Sequence, residues 1–150
     1  MKHNFFFVEG KIKYSSFSQF NQMEPDAVLH DDVMRYLRDS SQWVQSIQVS
    51  FPYKRESYGL DEYGTNIIDE KGAKTFYGVI CAWKDLFSQA PEVFEITTGV
   101  VCDHEGRAKY PLEFIKVSLN RDFLVENLQK LSEYAKQAAH GDGYILHLGM

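Results

Sequence analysis

Two triplets in the chain carry the side chains that bind metals or exchange protons: Asp103-His104-Glu105 and His30-Asp31-Asp32. The first lies between two β-rich runs and directly before Gly106. It reads as a tight turn whose three side chains diverge into solvent. The second falls in a helical pattern, where neighbouring side chains are about 100° apart and do not converge on one ion. Those residues are expected to point mostly outward. His140, Asp142 and His147 are further residues that could complete a site in space. Cys81 and Cys102 sit within apolar runs, outside any CxxC or zinc-like spacing, and read as reduced core thiols. No GxSxG, HExxH, P-loop or GxGxxG motif is present. The sequence therefore assigns no catalytic residue, no metal site and no cofactor. A site assembled from scattered residues stays open, with Tyr77, Trp83, His104 and His147 as its pocket lining.

The stretch best suited to recognition is 53–64, where three tyrosines and two glycines are mixed with five charged residues. It reads as a surface loop. Tyr58, Leu60 and Tyr63 supply apolar contact area, and Asp61 and Glu62 supply charge complementarity, the mixture used by protein interfaces. These five residues are the predicted partner-binding set. The alternative is that the tyrosines fold back over the core.

The elements that must hold this loop follow from periodicity. Runs 94–102 and 110–119 are rich in β-branched and aromatic residues and flank Asp103 and Gly106, which predicts a β-hairpin. From Asn120 the period changes: Leu124, Leu128, Leu131, Ala135 and Ala138 form one helical stripe, capped by Asn120 and ended by Gly141. Residues 144–148 read as a terminal strand. Near the start, 5–8 is a strand, and 15–22 is a loop pinned by Phe17 and Phe20. A helix begins at Pro25, with Leu29, Val33, Tyr36 and Leu37 on its buried face. Ile47, Val49 and Phe51 alternate as a strand stopped by Pro52.

Asp69-x-x-Gly72 repeats the turn chemistry of Asp103-x-x-Gly106 and predicts a second hairpin. Its outgoing arm, 75–83, satisfies both a strand and a helical stripe. The strand is favoured as far as Trp83, followed by one helical turn through Phe87, because Gly78 weakens a helix by about 1 kcal/mol.

The expected fold class is α+β: a mostly antiparallel sheet of hairpins with two principal helices packed on one face. At 150 residues the chain is expected to form a single globular domain, residues 1–150. A net charge of −5 disfavours nucleic acid as a partner, since phosphate binding calls for a basic stripe. No apolar run reaches the length of a membrane span, and the first residues are too short in apolar content for a signal peptide, so a cytoplasmic protein with no membrane partner is expected.

In profile the chain resembles bacterial immunity proteins of the polymorphic-toxin and contact-dependent inhibition systems. It is small, acidic and rich in aromatic residues (15%), lacks catalytic signatures, and carries the tyrosine-acid stretch 58–63. The resemblance implies a non-enzymatic binding module that neutralises a cognate toxin protein, often a basic nuclease, by covering its active site. A small ligand-binding or enzymatic domain and a subunit of a larger phage or secretion assembly are the alternatives.

Overall fold

The computed structural model describes residues 2–14 and 17–149. Among them the fold is α+β. Strands β1 (Lys2–Glu9), β2 (Ala27–His30), β3 (Gln45–Ser50), β4 (Tyr53–Tyr58), β5 (Thr65–Ile68) and β8 (Gly143–Gly149) form a six-stranded sheet in the order β2-β1-β8-β5-β3-β4. Every pairing in it is antiparallel. Strands β6 (Val93–Val100) and β7 (Phe114–Asn120) form a separate hairpin. Helices α1 (Asp31–Tyr36) and α2 (Arg38–Ser41) are short, whereas α3 (Glu70–Ser88) and α4 (Arg121–Ala139) are long.

The chain ends meet in the middle of the sheet. β1 pairs with β8 from His3 opposite Gly149 to Glu9 opposite Gly143. β8 is buried along nearly its whole length because both of its faces are covered. On one face Phe5, Leu29, Ile68 and Ile145 pack against α3 and α4 through Phe76, Ile80, Leu128 and Leu131. On the other, Phe6, Ile67, Tyr144, Leu146 and Leu148 are covered by the segment bearing Ile12, Phe17 and Phe20. The aromatic anchors predicted in 15–22 therefore lie where expected, although Ser15 and Ser16 fall outside the described residues.

Helix α4 has the predicted stripe: Leu124, Leu128, Leu131, Ala135 and Ala138 are all buried. Asn120 caps it by accepting from the Phe123 N–H at 2.8 Å, and Gly141 ends it at φ +85°. The 103–106 hairpin turn also forms, with Asp103 Oδ1 accepting from the N–H groups of Glu105 and Arg107 and Gly106 at φ +78°.

Other sequence-based expectations are corrected. Residues 75–83 are not a strand but the middle of α3, and no hairpin forms at 69–74. Asp69 Oδ1 accepts from the Gly72 N–H at 3.0 Å as a helix N-cap, and Ala73, Phe76, Ile80, Trp83 and Phe87 form the buried stripe. Gly72 serves a close approach, since a Cβ there would stand 2.0 Å from the Gln45 carbonyl oxygen. The expected helix from Pro25 is instead β2 followed by α1, with Asp26 tied to β1 through the Phe7 N–H. The stretch 53–64 is loop only from 59 onward, because 53–58 is β4. Cys102 is exposed rather than a core thiol.

Candidate functional site

The two edges of the sheet are treated differently. β2 is four residues long, and its Val28 N–H donates to Asn127 Oδ1 of α4 at 2.8 Å. Asn127 is held in turn by the Phe123 carbonyl. At the opposite edge β4 runs for six residues in unbroken register with β3 and is exposed along most of its length. An open edge of this kind presents backbone donors and acceptors to another chain.

Exposed aromatic residues gather at this end. Tyr53 (78% exposed), Tyr58 (66%) and Tyr63 (68%) are joined by Trp43 and Phe51. Strand alternation divides them. Tyr53, Arg55 and Ser57 share the helix-bearing face, where Arg55 donates to Gln48 Oε1 at 2.7 Å. Lys54, Glu56 and Tyr58 share the other face, where the Lys54 ammonium sits 3.6 Å from the centre of the Tyr14 ring. Tyr53 and Tyr63 line one concavity of about 540 Å³ together with Arg55 and Glu62.

The 59–64 segment crosses back over β3 and is tied down at several points. Gly59 lies at φ +85° against the Gln42 side chain, donates to the Val44 carbonyl at 2.8 Å, and accepts from Ser46 Oγ at 2.6 Å. Leu60 packs on the core. Asp61 accepts from the Gln48 side-chain amide, and its own N–H donates to Asn66 Oδ1 at 2.8 Å. Glu62 accepts from Arg35 at 2.5 Å. Of the five residues predicted to contact a partner, Tyr58 and Tyr63 thus project outward on opposite faces of the edge, while Leu60, Asp61 and Glu62 hold the segment to the body.

Beneath this segment lies a polar row that the sequence did not reveal. Asn66 of β5 lies opposite His147 of β8, and His3 of β1 lies diagonally across from His147, two residues from its pairing partner Phe5; the helix-bearing face of these three strands is apolar around them. His147 Nδ1 is 3.4 Å from Asn66 Oδ1, its Nε2 is 2.8 Å from His3 Nδ1, and His3 Nε2 is 3.3 Å from Asp31 Oδ1. Asp31, expected to point outward, is buried here and pairs through Oδ2 with Arg35 at 3.3 Å. The two imidazoles stack at 5.1 Å, and the Phe5 ring lies 4.9 Å from that of His147.

Burial, with the nearby His3 ring adding to it, pushes His147 down to about 3. Burial also lowers His3, against the opposing hydrogen bond and charge of Asp31 and the charge of Glu62. His3, Asp31, Arg35, Arg38, Gln42 and Glu62 border a second concavity of about 540 Å³. Both nitrogens of His3 are already engaged, so the ring offers neither a free donor nor a free acceptor to a molecule bound there.

The remaining sequence candidates do not converge. His104 stands in solvent on the hairpin turn, Tyr77 is on the exposed side of α3, and the Trp83 indole donates to Ser40 Oγ at 3.0 Å. Among the described residues no group of three or more His, Cys, Asp and Glu side chains is placed to hold a metal ion, and no helix is long and apolar enough to cross a membrane. A second exposed apolar patch, comprising Tyr110, Leu112, Phe114 and Ile115, lies on the β6–β7 hairpin and its tip. Isolated polar residues inside apolar strands were the signal for the buried row: His147 interrupts a run of five otherwise apolar residues, and a buried imidazole needs a partner. Comparison with protein-family models, curated proteins and solved structures gives no match to this chain.

Proposed function

We propose that this chain is a protein-binding module and, most specifically, an immunity protein that neutralises a cognate bacterial toxin domain by covering it. The observation that carries the reading is the ring of exposed aromatic side chains, Trp43, Phe51, Tyr53, Tyr58 and Tyr63, around the open edge strand β4. Tyrosine and tryptophan are enriched at interface centres because they bury large area at low entropic cost. The open edge adds unpaired backbone groups that an extended segment of the partner can meet. A net charge of −5 favours approach of a basic partner and speeds its association.

The test is genetic. The reading frame adjacent to this one, expressed alone, is expected to arrest growth, and co-expression of this chain is expected to restore it. A neighbouring product that is harmless alone, together with a purified chain that retains a small molecule and binds no neighbouring protein, would overturn the proposal in favour of a ligand-binding domain.

A further inference from the structure

The hydrogen bond at the end of the β3–β4 ladder fixes which way the backbone of β4 points. The Gly59 N–H donates to the Val44 carbonyl at 2.8 Å, one step beyond the Gln45–Tyr58 pair, so Val44 and Gly59 occupy a hydrogen-bonded position. Hydrogen-bonded and non-hydrogen-bonded pairs alternate along an antiparallel ladder. Ser57, Arg55 and Tyr53 therefore bond to Ser46, Gln48 and Ser50, whereas the N–H and C=O groups of Lys54, Glu56 and Tyr58 point away from β3. Among the described residues no strand meets them. The side chains of these three alternate residues share the sheet face opposite the helices.

A two-fold axis across this edge sets β4 antiparallel to its own copy, and only the outward-pointing residues can then form the hydrogen-bonded pairs. Three registers make more than one such pair. One sets Glu56 opposite Glu56 of the second copy, and another sets Glu56 opposite Tyr58. The third sets Lys54 of each chain opposite Glu56 of the other, so that opposite charges meet twice on one face. Charged residues on an edge ordinarily keep other strands away. Here the signs alternate, so the charges oppose one register and favour another. Among the described residues Glu56 has no ion-pair partner, and the Lys54 ammonium is held on the same face over the Tyr14 ring. On the helix-bearing face this register sets Arg55 across from Arg55 of the second copy. Gln48 Oε1 accepts from that guanidinium at 2.7 Å, and Asp61 and Glu62 border the same concavity and offset the like charge.

We propose that a second copy of this chain pairs with β4 along its open edge, Lys54 opposite Glu56 in both directions, to make one sheet continuous across two chains. The interface is isologous, so each substitution in it is met twice. It is also small, a single strand pair with its flanking side chains, which makes the dimer a weak one that forms at high concentration. Pairing covers the backbone groups that an incoming strand would use, so a partner that enters by strand addition competes with self-association. The inference rests on the geometry and charge of the edge alone and is tested without any partner.

The test is sedimentation equilibrium of the purified chain, from about 10 μM to about 1 mM at low salt. The average mass is expected to rise with concentration from that of the 17.4 kDa monomer toward twice that value. Glu56→Lys places like charges opposite each other and is expected to weaken association at least about tenfold, and the exchanged pair Lys54→Glu, Glu56→Lys is expected to restore it. Glu56→Pro removes a donor that faces the second copy and none that faces β3. It is expected to stay monomeric throughout, with a thermal midpoint within about 3 °C of the unaltered chain. An unaltered chain that is monomeric at every concentration, self-association that survives Glu56→Pro, or an exchanged pair that fails to restore association would overturn the proposal. If Glu56→Pro does not fold, the two charge variants decide.

Discussion

A neutral imidazole sealed in a doubly covered strand makes His147 an acid-sensitive residue. Its folded-state value of about 3 lies below the ordinary 6.5, so its contribution is fully present above 6.5 and is lost as pH falls toward 3. Linkage gives a loss of roughly 3 kcal/mol between pH 7 and pH 4 from this group. His147→Phe removes that titration but leaves buried His3 Nδ1 without its partner at 2.8 Å. Denaturant midpoints are expected to show the variant less stable by about 1–3 kcal/mol at pH 7, with a flatter decline toward pH 4. A variant with the same acid slope as the unaltered chain would assign that slope to other groups. The presence of His147 in an apolar run was legible, but its partners were not. His3 and Asp31 are 144 and 116 positions away, and only the antiparallel pairing of the chain ends brings the three together.

At the scale of elements, α3 shows why local sequence misleads. Asp69-x-x-Gly72 and Asp103-x-x-Gly106 use the same chemistry, a carboxylate accepting backbone N–H groups that follow it in the chain, yet one starts a helix and the other closes a hairpin. What separates them is the glycine. Gly106 takes a positive φ, whereas Gly72 is helical and lies against β3, a tertiary requirement that no window of sequence contains. α4 was legible because its stripe, cap and stop agree, while α3 has a second glycine at 78 that weakens the helical signal. The two glycines are expected to respond oppositely to alanine. Gly78 faces open space on the exposed side, so Gly78→Ala is expected to raise stability by about 0.5–1 kcal/mol. Gly72→Ala drives a Cβ into the Gln45 carbonyl and is expected to cost about 3 kcal/mol or more. Thermal denaturation of both variants checks the pair, and equal effects of one sign would refute the packing account of Gly72.

For the molecule as a whole, the proposed recognition surface is the sheet edge that the fold leaves open. The sheet caps β2 with Asn127 and covers both faces of β8, but among the described residues no strand pairs with the outer side of β4, which exposed aromatic side chains flank. The sequence indicated tyrosines in a recognition stretch without showing that half of the stretch is a strand. The structure redistributes the work, with Leu60, Asp61 and Glu62 securing the segment and Tyr53 joining Tyr58 and Tyr63 at the surface. The β6–β7 hairpin bears the other exposed apolar patch and supplies an internal control.

The most direct measurement is the affinity of the purified chain for the product of the adjacent reading frame, compared with that of a Tyr53→Ala, Tyr58→Ala, Tyr63→Ala triple variant and a Leu112→Ser, Phe114→Ser variant, with thermal midpoints recorded alongside. The tyrosine variant is expected to lose about a hundredfold or more in affinity, as truncation of interface aromatics does, with a midpoint within about 3 °C of the unaltered chain. The hairpin variant is expected to bind normally. Undiminished binding by the tyrosine variant, or loss confined to the hairpin variant, would contradict the assignment of the β4 edge as the recognition surface.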